Sequence, residues 1–569
     1  PIYHLRLRGI HIQDGFPCFL TTAHSDDDLR KIVDAFRDAL TELSSVGILA
    51  GTSAAAATAT TTVTAAVPKA VPAHEANQPA HAGLPLTQPQ IEIWLSAQAG
   101  DEASCAFNES VSLDMNGALN TAALQHALDR VVARHDALRA YFSDTGETMS
   151  IAAPAPFAAP MTDVSGPDAD AKLAGILDED ARTPFDLVNG PLLRARLIRL
   201  GDTRHTLMLS AHHIVCDGWS INVIVNELAE IYAAACEGRI AELAAPLPYS
   251  TYARTERERN ADEAAKTEAF WLKEFEASVT PLDLPTDRPR GALRGYHGAS
   301  LCRRIDAELY KTVKKSGARL GSTLFATLLA AFEALAGRLS GLDDVVVGVP
   351  TAGQSLLEDQ ILVGHCVNFL PIRGRWSKDM RVSEHLGAVA KQVLNAFEHQ
   401  SYTFGTLVRR LTEKGLLKRE PNRLPLTEIQ FNLERLADRL QLPGLTVDVA
   451  PNAKAFVNFD IFLNVIESND GLRLDCDYNI ELYDEATIGR WLDSYQALLE
   501  AFVADPAQPL VKTSCLLPAA RQQLLTDFNQ TATDYPRHLC VHQLFETRVA
   551  SQPEAQAVAF GETRLSYRQ

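Results

Sequence analysis

Two adjacent histidines, His212 and His213, close an apolar run, and Asp217 and Gly218 follow just before a long amphipathic stretch. Imidazole is the side chain whose ordinary titration lies near neutrality, so it can take and return a proton at physiological pH. In an extended strand successive side chains point to opposite faces. Only one of the pair can then look into a given cleft, and the two cannot jointly chelate one metal ion. The spacing predicts a packed histidine and an exposed one. Asp217 can fix the turn, cap the helix after it or hold a buried arginine. Gly218 allows close backbone approach or a positive φ. Taken alone, such a turn is more often structural than catalytic.

The flanking residues say what must position this turn. "HTLMLSAHH" reads as a buried strand, and Ile221, Ile224, Val225, Leu228, Ile231, Tyr232 and Ala235 form one face of a helix that Gly238 stops. Further on, "LFATLLAAFEALAGRL" is helical by composition and length, and "DDVVVGVP" is a β-branched run closed by Pro350. Strand-like and helical patterns alternate from Leu84 to Leu517, which predicts a mixed α/β architecture. That span exceeds a usual single core, so it should divide into two lobes, 84–260 and 261–517, with the hinge between Pro246 and Pro289.

The 569 residues correspond to about three or four structural units. With 46% hydrophobic and 22% charged residues the composition is that of a globular chain. Lys+Arg 53 against Asp+Glu 71 gives a net charge of −18, which repels phosphate backbones and anionic membranes, so neither nucleic acid nor membrane is an expected partner. The nine cysteines show no C-x-x-C pair, which argues for reduced thiols, no zinc site and cytoplasmic residence. Residues 51–83 hold 12 Ala, six Thr and three prolines with no periodic apolar face, so 50–83 reads as a linker. Before it, "SDDDLRKIVDAFRDALTEL" has the cap and spacing of one amphipathic helix.

The string His212-His213-x-x-x-Asp217-Gly218 matches the H-H-x-x-x-D-G signature of nonribosomal peptide synthetase condensation domains. Six further segments resemble that family's other motifs in the same order: "LPLTQPQIEIWL", "RHDALRAYF", "TPFDLVNGPLLRARL", "LDLPTDRPR", "VVVGVPTAG" and "LVGHCVNFLPIR". The resemblance implies two chloramphenicol-acetyltransferase-like lobes arranged as a V-shaped pseudo-dimer with a tunnel between them. It also implies a reaction, in which an acyl thioester on an upstream donor acyl carrier protein is joined to the amine of an aminoacyl thioester on a downstream peptidyl carrier. Both substrates would hang on 4'-phosphopantetheine arms, and no cofactor would be bound by the domain itself. In the family the second histidine faces the tunnel, which assigns that part to His213, with His212 and Asp217 supporting it and backbone N–H groups near Gly218 available to an oxyanion.

Trp219 reads as packing at the helix start or as a substrate contact, and Asn368 as a tunnel residue or a strand end. Gln430 and Asn432, polar on a strand-like segment, suggest a wet channel. His365 and His399 read as ordinary surface or core histidines. One position departs from the family: Gln354 stands where many relatives carry an arginine that pairs with the motif aspartate. Either Gln354 bonds Asp217 instead, or another arginine, Arg194 or Arg288, serves.

The flanks extend the resemblance. Residues 1–49 look like the C-terminal tail of a class III pyridoxal phosphate aminotransferase, without its Schiff-base lysine, and 518–569 look like the start of an adenylation domain. Both neighbours imply a piece of a longer synthetase, acting as a monomer, whose donor is a β-amino acyl chain. An epimerisation domain is the alternative within the same fold, and a degenerate domain that only docks carriers or recruits a tailoring enzyme is the non-catalytic one. A heterocyclising relative would carry Asp in place of the motif histidines.

Overall fold

The structure is a computed structural model that describes Lys31 and residues 79–569, apart from 258–260, 358–359, 436–439 and 469. The aminotransferase-like tail and the helix read before the linker therefore lie outside the described residues, Lys31 excepted. The elements of the fold all belong to the unit Pro72–Gln569.

In the first half of this unit the elements that matter to the site are β1 (Asn108–Gly117), α1 (Thr121–Arg134), β2 (Met161–Asp163), β3 (Leu193–Arg199), β4 (Arg204–His212) and α2 (Gly218–Cys236). The second half supplies β5 (Gly298–Asp306), α3 (Leu324–Ser340), β6 (Asp344–Ala352), β7 (Val367–Arg375), β8 (Ile429–Arg435), β9 (Gln441–Leu442), β10 (Leu445–Pro451), β11 (Ile461–Ser468), β12 (Gly471–Asn479) and α4 (Glu485–Ala504). They build two six-stranded sheets, ordered β9-β10-β1-β4-β3-β2 and β7-β6-β8-β11-β12-β5. Each sheet has its own hydrophobic core, so the fold has two lobes.

β4 is buried at every residue after Arg204 because both of its faces are covered. Leu207, Leu209 and Ala211 join the core shared with α1 and α2, while Met208, on the other face, packs under the helix Ala169–Ala181. A strand covered twice reads as a continuous apolar run, as "HTLMLSA" does. α2 starts at the cap Asp217 and ends before Gly238, which adopts the φ of +68° that glycine accommodates without strain.

The helix Tyr249–Arg257 gives Tyr249 and Ala253 to the first core, and Ala261–Glu274 gives Trp271 to the second. The change of core thus falls between 257 and 261. The second half is not confined to its own lobe, however. Leu362, Val363 and Cys366 are buried in the first core, as are Leu442 and Val447 of β9 and β10, and β10 pairs with β1 from Leu445↔Gly117 to Pro451↔Val111. At roughly 1.5–3 kcal/mol for each large apolar side chain buried, these excursions contribute a sizeable part of the first lobe's stability.

Two boundaries differ from expectation. A strand, Pro79–Pro85, pairs with Thr148–Ala152, so the linker ends before Pro79; its prolines stand at the two ends of an edge strand, where a missing N–H is tolerated. Pro350 does not close β6, which continues to Ala352 paired with β7. β8 reaches β6 only through Gly348, so on that side Pro350 faces no partner that its missing N–H would serve. After the fold's last core residues, 518–569 form two α-helices, the short 3-10 helix Asp527–Asn529 and the hairpin Gln556–Phe560/Thr563–Ser566 with no buried side chain. Among the described residues no single helix is long and apolar enough to cross a membrane, and no group of His, Cys, Asp or Glu could hold a metal ion.

Candidate functional site

The two histidines part company at the end of β4. His212 is the strand's last residue and is fully buried, its Nε2 3.4 Å from the Ser104 hydroxyl and its ring between Phe107 and Phe185. Burial, with the charge of its neighbour His213 adding to it, pushes the His212 pKa down to about 3, so it is a neutral packing group. His213 begins the turn. Its N–H donates to the Phe107 carbonyl at 2.8 Å, and its side chain keeps 22% of its surface accessible.

Asp217 is buried and saturated. Oδ1 accepts the Ser220 N–H at 2.8 Å and the Ser220 hydroxyl at 2.7 Å; Oδ2 accepts the Gln354 side-chain amide at 2.8 Å and the Cys366 N–H at 3.0 Å. Both open options for Asp217 without an arginine are therefore realised: it caps α2 and fixes the turn. Of the options the sequence left open, it is Gln354 that bonds Asp217. Arg194 is engaged by Asp180 at 3.0 Å and lies over the Phe185 ring, and Arg288 pairs with Asp484 at 2.5 Å, so neither serves Asp217. An amide needs no counter-charge and fits a carboxylate whose other lone pairs already meet N–H and O–H donors. Gln354 is consequently a buried clasp between the lobes rather than a tunnel residue.

The clasp continues through the same segment. Gly364 donates its N–H to Ser220 Oγ at 2.9 Å, and the Tyr249 hydroxyl donates to the His365 carbonyl at 2.7 Å. Gly364 has φ +155°, and a Cβ there would stand 2.0 Å from the Tyr249 ring, so only glycine fits. The pinned segment delivers a residue that spacing gave no reason to single out: His365 brings its Nδ1 to 3.1 Å from His213 Nδ1, ring edge to ring face at 86°. His365 is no ordinary core histidine. Burial first, then the neighbouring imidazoles of His213 and His212, hold it well below the usual imidazole range, so it is neutral.

On the other side of His213 lies Glu109 of β1, missed for want of any motif. It pairs with Ala211 across the sheet, which sets its side chain on the same face as His213 two residues later, with Oε1 3.7 Å from Nε2. Lys454, on the segment after β10, bonds Glu109 at 2.8 Å. Burial acts to raise the Glu109 pKa, but Lys454 and His213 outweigh it and the net direction is down, so Glu109 is an anion.

Gly218, at the start of α2, needs no positive φ; a Cβ there would meet only Glu434 Oε1, at 3.9 Å. Glu434 and Asn432 sit on the β8 face opposite the core residue Phe431, and Asn432 donates to Glu434 at 3.1 Å and to Asn464 at 3.2 Å. Burial raises the Glu434 pKa. Gln430, on the same face, is buried over Gly348 instead of lining a wet channel. Asn368 fits the strand-end reading, as the second residue of β7: its amide is consumed by the Gln400 and Tyr402 carbonyls at 2.8 and 2.9 Å and by the Phe404 N–H at 3.1 Å, which holds the loop before the helix Phe404–Glu413. Trp219 is 49% exposed, so it does not pack at the helix start. His399 stacks on Phe270, remote from the turn, as an ordinary structural histidine. The site thus comprises His213, flanked by His365 and Glu109, above a helix start whose cap is tied to the second half of the chain.

The family model for the condensation domain matches residues 81–525, and the chain belongs to that family. It is 36% identical over 497 residues to chondramide synthase cmdD of Chondromyces crocatus and 34% identical over 491 residues to malpinin synthetase of Mortierella alpina, which covers 86% and 85% of this chain. It spans only 13% and 6% of the length of those relatives. Among solved structures, the X-domain in its complex with OxyB from teicoplanin biosynthesis superposes with a TM-score of 0.67 at 26% identity, covering 76% of this chain and 96% of that one. The first condensation domain of the calcium-dependent antibiotic synthetase has the same two-lobed fold, with a TM-score of 0.66 at 21% identity over 77% of this chain and 99% of that one. The class is therefore the condensation domain of nonribosomal peptide synthetases, an acyltransferase-type fold.

Proposed function

We propose that this chain forms an amide bond between an acyl thioester on a donor carrier protein and the amine of an aminoacyl thioester on an acceptor carrier, both borne on 4'-phosphopantetheine arms. One observation carries this reading: of the motif's three titratable side chains, His212 and Asp217 are buried and committed, and His213 alone keeps an accessible ring beside an anion. A free α-amine, with pKa about 8, is appreciably deprotonated near neutrality, and a thioester is already activated, so positioning supplies much of the rate. The amine nitrogen attacks the carbonyl carbon, and the tetrahedral intermediate loses its N–H proton to His213 Nε2 as the C–S bond breaks. The proton then passes to the departing thiolate. The N–H groups of Gly218 and Trp219, in the first turn of α2, point the positive end of a helix at the developing oxyanion.

The reading includes a β-amino acyl donor, an adjoining aminotransferase and adenylation domain in the same synthetase, action as a monomer and cytoplasmic residence. The test is a single-turnover assay with two loaded carriers, read by intact-protein mass spectrometry. His213→Ala should slow amide formation by on the order of 10²- to 10⁴-fold with the unfolding midpoint unchanged. An unaffected rate would favour the docking-only reading, which has support in the X-domain relative seen with OxyB. A donor carrying a β-keto group should be used far more slowly than its β-amino counterpart, and equal use would remove the donor assignment.

A further inference from the structure

His213 makes one side-chain hydrogen bond among the described residues, and it is to another histidine. Two imidazoles facing each other through Nδ1 at 3.1 Å must divide the roles, one donating and the other accepting. We infer that His365 is a positioning residue that accepts from His213, holding it as the Nδ1–H tautomer and leaving the Nε2 lone pair on the side of Glu109. This rests on the reading of His213 as the group that takes the amine proton.

Three features support this assignment. The backbone around His365 is fixed on both sides: Gly364 donates to Ser220, Cys366 donates to Asp217, and the carbonyl of His365 accepts from Tyr249. Its ring is therefore presented at a set distance and angle. The reverse division, His365 donating, would occupy the Nδ1 lone pair of His213 and leave a proton on Nε2, so the ring could accept nothing from substrate without first breaking a buried bond. With His365 as acceptor, Nε2 takes the second proton while the Nδ1–H···N bond stays intact. The imidazolium so formed lies 3.7 Å from Glu109 Oε1, which Lys454 holds ionised, and loses its proton to the leaving sulfur.

The test is imidazole ¹⁵N spectroscopy of the full chain, labelled at histidine, at a pH about two units above the ordinary imidazole value. His213 is identified by the signals lost in His213→Ala. The expected pattern is a protonated Nδ1 and an unprotonated Nε2 on His213. His365→Asn, whose side-chain oxygen can accept at the position of Nδ1, should keep it, and His365→Phe, which fills the space without an acceptor, should lose it. A wild-type His213 protonated on Nε2, or a pattern unchanged in His365→Phe, overturns the inference. In single turnover with a β-alanyl donor and a glycyl acceptor carrier, His365→Phe should be slower by on the order of 10²-fold and His365→Asn by less than about tenfold. Equal rates for His365→Phe and the unmodified chain also overturn it. Absence of any amide with the unmodified chain would instead count against the proposed reaction, and the tautomer pattern would still decide the role of His365.

Discussion

The two lobes are built on different terms. The second is self-contained: every side chain of its core, from Trp271 to Leu510, comes from the second half of the unit. The first borrows Leu362, Val363, Cys366, Leu442 and Val447, and its sheet is extended at one edge by β10 and β9. The histidine motif belongs to the borrowing lobe and lies where the loans arrive. Asp217, Ser220 and Tyr249 grip the 353–366 segment, and Lys454 comes in behind β10 to reach Glu109. The contrast teaches that the contacts that complete the first lobe are the contacts that set the geometry of His213. Stability at the seam and alignment of the imidazole are then one property measured twice.

Asp217→Ala should break this comparison most severely. It strands the Cys366 and Ser220 N–H groups and the Gln354 amide in a buried site and removes the cap of α2, a loss of about 3–5 kcal/mol. Hydrogen exchange should accelerate at Gly364, Cys366 and the first turn of α2 while the amides of β6 and β8 keep their protection. Equal loosening of both sheets would show that the lobes are not distinct in the way described. A sharper version pairs two truncations of matched chemistry. Leu442→Ala and Leu499→Ala each vacate a core position and should each cost about 2–4 kcal/mol by chemical denaturation. Only the first should shift the ¹⁵N signals of His213; a shift from Leu499→Ala of the same size would dissolve the distinction.

The smallest effect concerns pH. Glu92, in the helix Gln88–Ala97, accepts the Gly405 N–H at 3.0 Å across the seam, and burial raises its pKa from the usual 4.5 to about 7, against the lowering effect of that bond. A carboxyl whose folded pKa is raised holds its proton when the unfolded chain has lost it, so its contribution to stability falls as pH climbs from about 4.5 to 7. Glu92→Gln keeps an acceptor for Gly405 and should flatten that slope, with a difference of about 1–2 kcal/mol between the two chains at the upper end. A slope that persists in Glu92→Gln would assign it elsewhere.

Much of the site was legible because its signals are local. The alternation at the end of a strand separates His212 from His213, and an aspartate before an amphipathic stretch reads as a cap; both are set within a few residues of the chain. His365 carries no such signal. It lies in a glycine-containing run whose neighbours look like strand residues, and its partner is far away in sequence. Glu109 and Lys454 are likewise ordinary charged residues until β10 is laid against β1. Polar residues on strands obey the same rule in reverse: Asn368 and Gln430 look unusual there, but a loop carbonyl pair and a glycine opposite them account for both.

Sequence alone determined the buried strand β4, the capped helix α2, the two-lobed α/β division and the split of the histidine pair into one packed and one exposed, since periodicity and capping act over single turns and strands. Only the tertiary structure decided that Gln354 is the side chain that bonds Asp217, that the first lobe is finished by the second, and that His213 stands between a neutral histidine and an anion. Those outcomes depend on distances between residues more than a hundred positions apart, which no local pattern encodes and which close packing of the two cores fixes.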